Sequence, residues 1–296
     1  MEGRGPGLRR SCPILTVGGA LFGPEGRLRN GWKVLLFLAA LGLGRILAQG
    51  LLPRDLRVLL HGHGLQLLLC LWVTLLFLRA EGRPLASVGL HFDGRWARQF
   101  LGGTLAGIAL MGLTALVIML CGGVRLTRNP GAGAATLLGG AWLYLVVAFS
   151  EELGFRGYLF QRLEEGLGSW PTLALLALFF ALGHWGNPGM AGATLVWATL
   201  NIALAAVLLG LCYLRTRSLA LPMGVHLGWN WGQGGMLGFG VSGTQAAGWW
   251  TPVFQGRPAW LTGGAFGLEA SLPCAVLCLL ACLWLARWRA NKPLFT

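Results

Sequence analysis

The feature that most constrains this chain is a series of apolar stretches, each close to the length that an α-helix needs to cross a bilayer. The chain has 296 residues, of which 55% are hydrophobic and 11% are charged, a composition outside the range of ordinary soluble domains. We therefore predict an all-α polytopic membrane protein of about eight transmembrane helices. The stretches lie at about residues 33–52, 58–78, 99–121, 136–160, 170–186, 191–213, 218–237 and 269–287.

The distribution of basic residues predicts the orientation and the partners. Most of the 23 Lys and Arg residues lie before the first stretch or in loops on its side of the membrane, which predicts that both termini are cytoplasmic. Residues 1–32 form a basic cytoplasmic tail in this interpretation, and residues 33–296 form a single transmembrane helical domain. The net charge of +13 is spread over short loops, so we expect contact with the lipid bilayer and no nucleic-acid binding.

Few ionisable side chains lie within the apolar stretches, and such groups are costly in hydrocarbon and indicate function. Arg45 stands alone in the first stretch, and His61 and His63 lie near the start of the second. The others are concentrated in three stretches: Glu151, Glu152, Arg156, His184 and His226.

Three of these groups are predicted to lie at similar depth. With about 1.5 Å of rise per residue from the cytoplasmic end of each stretch, Glu151 lies roughly 16 Å deep, His184 roughly 21 Å and His226 roughly 14 Å. All three fall inside a hydrocarbon core of about 30 Å. We expect them to form one site within the helix bundle.

Spacing suggests a role for each side chain. Glu152 and Arg156 stand at i, i+4 in the favourable order, which predicts a structural ion pair. Glu151 has no basic partner on its own turn, and an unpaired, desolvated carboxylate suits a general base.

Two further pairs share the same helical spacing. Phe180 precedes His184 by four residues, and His226 precedes Asn230 by four. Each pair therefore projects from one helix face. Imidazole and amide groups can orient water, bind a metal ion or donate hydrogen bonds to an oxyanion.

These residues resemble the three motifs of the CPBP family of intramembrane proteases, also called the Abi or CAAX-protease-like family, which includes the Rce1-type prenyl-protein endopeptidases. The motif E-E-x-x-x-R occurs at residues 151–156, F-x-x-x-H at 180–184 and H-x-x-x-N at 226–230. The motifs occur in the family's order on separate stretches, and the resemblance covers about residues 136–236.

The resemblance implies an intramembrane endopeptidase that acts on a membrane-associated protein or peptide in a bacterial-type inner or plasma membrane. It implies that Glu151 and His184 activate water and that His226 and Asn230 stabilise the tetrahedral oxyanion. Glu152 and Arg156 would then support the helix, together with Phe180 beside His184. Some relatives cut prenylated C-terminal Cys-a-a-X sequences, and no residue here identifies a prenyl group.

Two mechanisms stay open. Glu151, His184 and His226 can supply the three ligands of a catalytic Zn²⁺ ion, as the metalloprotease label of the family suggests. The sequence has no H-E-x-x-H, and the same residues can also act without a metal as a glutamate and histidine pair.

Three other functions are alternatives to an intramembrane endopeptidase of this type. A non-catalytic scaffold, immunity or maturation protein on the same fold would need the Glu152 and Arg156 pair but not Glu151 with two histidines. A proton-coupled transporter could use the same groups as a relay, although no pair of broken helices supports transport. The segment Gly240–Gly243 matches the G-x-S-G of rhomboid serine proteases, but no histidine follows His226 to act as base for Ser242.

Overall fold

The fold is described from a computed structural model, which covers residues 21–23, 26–53, 55 and 62–287. Most of the predicted basic tail, residues 1–20, and His61 lie outside the described residues.

Most of the described chain is helical, and a helix overlaps each of the eight apolar stretches. The all-α membrane fold is therefore confirmed. In chain order the helices are α1 (Asn30–Leu51), α2 (His63–Ala80), α3 (Gly94–Leu120), α4 (Ala134–Arg156), α5 (Tyr158–Leu167), α6 (Ser169–Gly183), α7 (Gly192–Thr216), α8 (Ala220–Asn230), α9 (Ala259–Thr262) and α10 (Leu272–Arg287).

Five helical segments are long and apolar enough to cross a membrane by themselves, judged by length and composition over the described residues. They are α1, α2, α3, α4 continued by α5, and α7, while α6 and α10 are shorter apolar helices. Helix α8 is extended by a π-helical turn at Trp231–Met236. The number of eight crossings stays a prediction.

The predicted stretch at 136–160 is interrupted at Gly157. Its backbone leaves the helical region, with φ −74° and ψ −125°, so α4 ends at Arg156 and the amphipathic α5 begins. Tyr158 at the start of α5 packs against Phe37 of α1 and Phe77 of α2, with ring centroids 5.0 and 5.3 Å away. The aromatic contact fixes the end of α4 against the first two helices.

A small sheet joins two loops that are distant in sequence. Strand β1 (Val124–Arg128) pairs antiparallel with β2 (Trp250–Phe254). The Gly-rich segment at 238–268 thus contains a strand and the short helix α9.

The closest helix packing in the site region is between α3 and α8. A Cβ added at Gly103 would lie 2.6 Å from the carbonyl oxygen of Leu221, and one at Gly107 would collide with the carbonyl of Val225. A Cβ added at Gly224 or Gly228 on α8 would likewise collide with the backbone of α3. Gly103 and Gly107 thus form a small-residue face of α3 that packs directly against the helix that carries His226 and Asn230.

Candidate active site

Helix α4 carries a fully buried ion pair near its end. Glu152 is 0% exposed and Arg156 is 1% exposed, and Arg156 Nη1 lies 3.1 Å from Glu152 Oε1. The guanidinium also donates from Nη2 to the carbonyl oxygen of Ala206, 3.0 Å away, and lies 5.0 Å from the ring centroid of Phe180. Arg156 therefore connects α4 with α6 and α7, as expected of a buried charge that needs several partners.

His226 contacts both adjacent carboxylates of α4. Its Nδ1 lies 2.8 Å from Glu152 Oε1, and its Nε2 lies 3.8 Å from Glu151 Oε2. A carboxylate accepts hydrogen bonds, so Nδ1 carries the proton and Nε2 faces Glu151. The sequence predicts Glu152 as a partner of Arg156 alone, but the structure adds the role of orienting the imidazole.

His184 follows the last residue of α6, where the helix opens. Its Nδ1 lies 2.7 Å from the carbonyl oxygen of Phe180, and its ring centroid lies 4.8 Å from the Phe180 ring. Because a carbonyl oxygen can only accept, Nδ1 donates and Nε2 keeps a free lone pair. Within the part of the chain that the structure describes, no ion pair within 4.0 Å joins His184 to Glu151. The imidazole nearest to Glu151 on the predicted motifs is that of His226.

The predicted residues face a common cavity of about 980 Å³. Glu151, His184, His226 and Asn230 all line this cavity, and so does Phe180. The buried pair Glu152 and Arg156 is not part of the lining. Phe180, for which the resemblance implies a supporting role, thus lines the cavity as well, and the roles of all these residues stay predictions.

The cavity also contains polar residues to which sequence reasoning gave no role. His63 at the start of α2 has its Nδ1 3.7 Å from Glu151 Oε1, and Arg45 lies on the wall formed by α1. Both are visible in the sequence as isolated charges near apolar stretches. Their place on the cavity wall depends on how α1, α2 and α4 are arranged, which no local pattern encodes.

Glu269 is a third such residue, placed just before α10. It is 5% exposed and accepts hydrogen bonds from the Ser242 hydroxyl at 2.7 Å and from the indole of Trp229 at 3.1 Å. Ser242 thus donates to a carboxylate and not to an imidazole, which leaves the rhomboid-like alternative without its base. An acid beside an apolar stretch was the signal that could have identified Glu269.

The predicted zinc ligands are not arranged as a set of three. Among the described residues, no group of three or more His, Cys, Asp or Glu side chains converges closely enough to hold a metal ion. Glu151 and His226 Nε2 face each other, but the Nδ1 of His226 is already engaged by Glu152. Binding of Zn²⁺ stays a prediction.

Comparison with known proteins agrees with the geometry. Residues 133–232 match the family model described as "Type II CAAX prenyl endopeptidase Rce1-like", and this segment contains all three motifs. No curated protein and no solved structure matches the chain. Over the segment that holds Glu151, His184, His226 and Asn230, this integral membrane protein is therefore similar to the Rce1-like family.

Proposed function

We propose that the chain is an intramembrane endopeptidase that hydrolyses a peptide bond of a membrane-associated substrate. The observation that carries this proposal is the single cavity lined by Glu151, His184, His226 and Asn230. A carboxylate, two imidazoles and an amide are the groups that water activation and oxyanion stabilisation require. The protein is proposed to lie in a bacterial-type inner or plasma membrane with both termini in the cytoplasm.

Glu151 is proposed as the general base. It takes a proton from a water molecule, whose oxygen attacks the scissile carbonyl, and it passes that proton to the leaving amine when the C–N bond breaks. The carboxylate is only partly exposed, with 13% of its side chain accessible, and it faces the cavity. The free Nε2 lone pair of His184 is suited to accept the second hydrogen of the same water and to orient its oxygen.

The negative charge that develops on the carbonyl oxygen needs hydrogen-bond donors. The Nδ2 group of Asn230 is one donor, and His226 is the other when both of its ring nitrogens are protonated. In that state Nδ1 donates to Glu152 while Nε2 donates into the cavity. The hydrogen bond of 2.8 Å between His226 and Glu152 supports this role because it fixes the ring plane.

Apolar side chains supply much of the remaining cavity wall, including Leu143, Val147, Ile202, Leu208 and Leu209. Such a surface favours a substrate with an apolar segment or a lipid chain. A prenylated C-terminal Cys-a-a-X peptide is therefore the first candidate substrate, in agreement with the prenyl endopeptidase family that residues 133–232 match.

The test is cleavage by purified protein in nonionic detergent of a fluorogenic peptide that ends in farnesylated Cys and three further residues. A membrane proteome analysed for new peptide ends covers other substrates. We expect Glu151→Gln, His184→Ala and His226→Ala each to lower kcat/KM by at least about 100-fold. The matched control is Asp93→Asn, because Asp93 is exposed and an Asn keeps the hydrogen bond to the Trp96 amide that begins α3.

Peptide ends that persist in all three variants would contradict the proposed site. A folded protein without peptidase activity would instead favour the scaffold alternative. Flux that depends on an ion gradient and disappears in Glu151→Gln would favour transport. Metal analysis of the same preparations, with and without a chelator, decides between the zinc and metal-free forms of the mechanism.

A further inference from the structure

Glu269 is a buried carboxylate in the cavity wall to which the three motifs give no role. It is 5% exposed, and it accepts hydrogen bonds from the Ser242 hydroxyl at 2.7 Å, from the Ser242 backbone N–H and from Trp229 Nε1 at 3.1 Å. Three donors suit the ionised form, which only accepts, and they offset the cost of burying its charge. Glu269 and Ser242 both lie outside residues 133–232, the segment that matches the family model.

One oxygen of Glu269 holds the end of α8. Trp229, which donates to this oxygen, is 6% exposed and stands three residues after His226 and directly before Asn230. The close approach of Gly228 to α3 fixes one face of the helix, and the indole fixes another, since successive residues point about 100° apart. Because a helix held on two faces cannot turn about its axis, the indole contact fixes the direction in which His226 and Asn230 point.

The other oxygen of Glu269 holds the loop that reaches His184. Asn187 Nδ2 donates to the carbonyl oxygen of Ser242 at 3.0 Å, and the Asn187 backbone N–H donates to the carbonyl oxygen of His184 at 3.0 Å. Ser242 has φ +49°, a strained value for a residue other than glycine, and such a value persists only where neighbouring contacts impose it. A series of hydrogen bonds thus joins the backbone of His184, through Glu269, to the indole of Trp229.

We propose that Glu269 is a positioning residue that fixes the two motif histidines relative to each other. His184 follows α6 and His226 lies on α8, and the proposed reaction needs the water and the oxyanion to be held from both sides of the cavity at once. A displacement of about 1 Å at such a site can lower the rate about 100-fold. This inference rests on the proposed peptidase function and adds the carboxylate that holds its two parts together.

The first test is kinetic and uses Glu269→Gln, which replaces one accepting oxygen by an NH₂ group. A glutamine can accept from Ser242 or from Trp229 but not from both, so one of the two links is lost. We expect kcat to fall about 10- to 100-fold and KM to change by less than about 3-fold, since alignment matters most in the transition state. Trp229→Phe removes the link to α8 from the other side, so the double variant should be no slower than the slower single variant.

Two further variants separate positioning from a general effect on the fold. Trp96→Phe removes a comparably buried indole, which donates to the carbonyl oxygen of Gly89 at 3.2 Å and is not part of the cavity lining, so it should lower the unfolding temperature but not kcat. Ser242→Ala removes one donor and leaves the backbone N–H that Glu269 also accepts, so it should lower kcat by less than about 5-fold. Abolished activity in Ser242→Ala would identify this serine as a nucleophile and overturn the inference.

Chemical modification of the histidines gives a second measurement that needs no substrate. Diethyl pyrocarbonate reacts with accessible, unprotonated imidazoles, and mass spectrometry measures its rate at each histidine of the folded protein in detergent. We expect Glu269→Gln to accelerate modification of His184 and His226 at least about 3-fold and to leave the exposed His91, the internal reference, unchanged. Trp229→Phe should accelerate modification of His226 and serves for the comparison where Glu269→Gln does not fold.

The modification rates distinguish failure of this inference from failure of peptidase function. Faster modification of His184 and His226 supports the positioning role even when wild-type protein cleaves no peptide. Unchanged rates at both histidines in folded Glu269→Gln protein overturn it, even when the wild type is an active peptidase. A loss of kcat with unchanged modification rates would show that Glu269 acts on the substrate directly, and this result also overturns the inference.

Discussion

At the residue scale, the two adjacent glutamates of α4 have different environments. Glu152 is fully buried and shared by Arg156 and His226, whereas Glu151 faces the cavity. A change of about 100° in direction around the helix separates a structural carboxylate from a reactive one. Glu151→Gln and Glu152→Gln should therefore have different effects on stability and activity.

We expect Glu152→Gln to lower both stability and activity, and Glu151→Gln to lower activity alone. Removal of the Glu152 charge leaves the Arg156 guanidinium buried without its anion, which costs about 3–5 kcal/mol. It also weakens the contact that orients His226. Thermal unfolding in detergent and kcat/KM measured on the same preparations check this difference, and equal unfolding temperatures for the two variants would contradict it.

His63 is a second histidine close to the Glu151 carboxylate, so the effect of replacing it can be compared with the effect of replacing His226. It lies 3.7 Å from Glu151, but 41% of its side chain is exposed, so its interaction is screened. We expect His63→Gln to lower kcat/KM by less than about 5-fold, compared with the loss of about 100-fold or more for His226→Ala. Equal losses in the two variants would place His63 in the catalytic machinery.

At the element scale, the position of the site depends on contact between glycine faces. Helix α8 carries His226 and Asn230, and Gly103 and Gly107 of α3 let its backbone approach closely. Such packing replaces the hydrophobic effect, which does not drive association between helices in lipid.

Gly107→Ala is expected to displace α8 and to abolish activity. The added methyl group would collide with the carbonyl of Val225, one residue before His226. Gly112→Ala on the same helix is the matched control, because a Cβ there meets nothing within 4 Å. The control should keep activity and gain up to about 1 kcal/mol from helix propensity. Folded yield, unfolding temperature and peptide cleavage are compared, and a fully active Gly107→Ala protein would show that the contact does not position the site.

The helices could be predicted from sequence because apolar runs are local signals. The break at Gly157 could not, since the apolar character of 136–160 continues through it. Pairing of β1 with β2 joins residues more than 120 positions apart, and no turn connects them. The role of Glu269 could not be predicted for a similar reason, because its partners Trp229 and Ser242 approach it only in the folded chain.

At the scale of the whole molecule, the position of the site depends on a polar cluster around Glu81, the residue that follows α2. This cluster joins α2 to α1 and α5. Glu81 accepts a hydrogen bond from the Tyr158 hydroxyl at 2.7 Å, and it pairs with Lys33 Nζ at 2.9 Å and with Arg162 Nη1 at 3.2 Å. One carboxylate thus connects α1 and α5 to the end of α2. Because α5 continues α4, the cluster holds the first two helices, with Arg45 and His63, against the helix of Glu151.

This cluster predicts loss of stability in acid. Burial raises the pKa of the Glu81 carboxyl, but the Tyr158 hydroxyl, Lys33 and Arg162 lower it by more, so it lies below its ordinary value of about 4.3. A carboxyl whose pKa is lowered on folding stabilises the protein above the unfolded-state pKa, and this stabilisation is lost as the pH falls through the folded-state value. We therefore expect Glu81→Gln to lower the unfolding temperature at pH 7 and to reduce its fall between about pH 5 and pH 3. Unfolding scans across this range, with Asp93→Asn as the control that keeps the cluster, check the effect, and parallel curves for wild type and Glu81→Gln would contradict it.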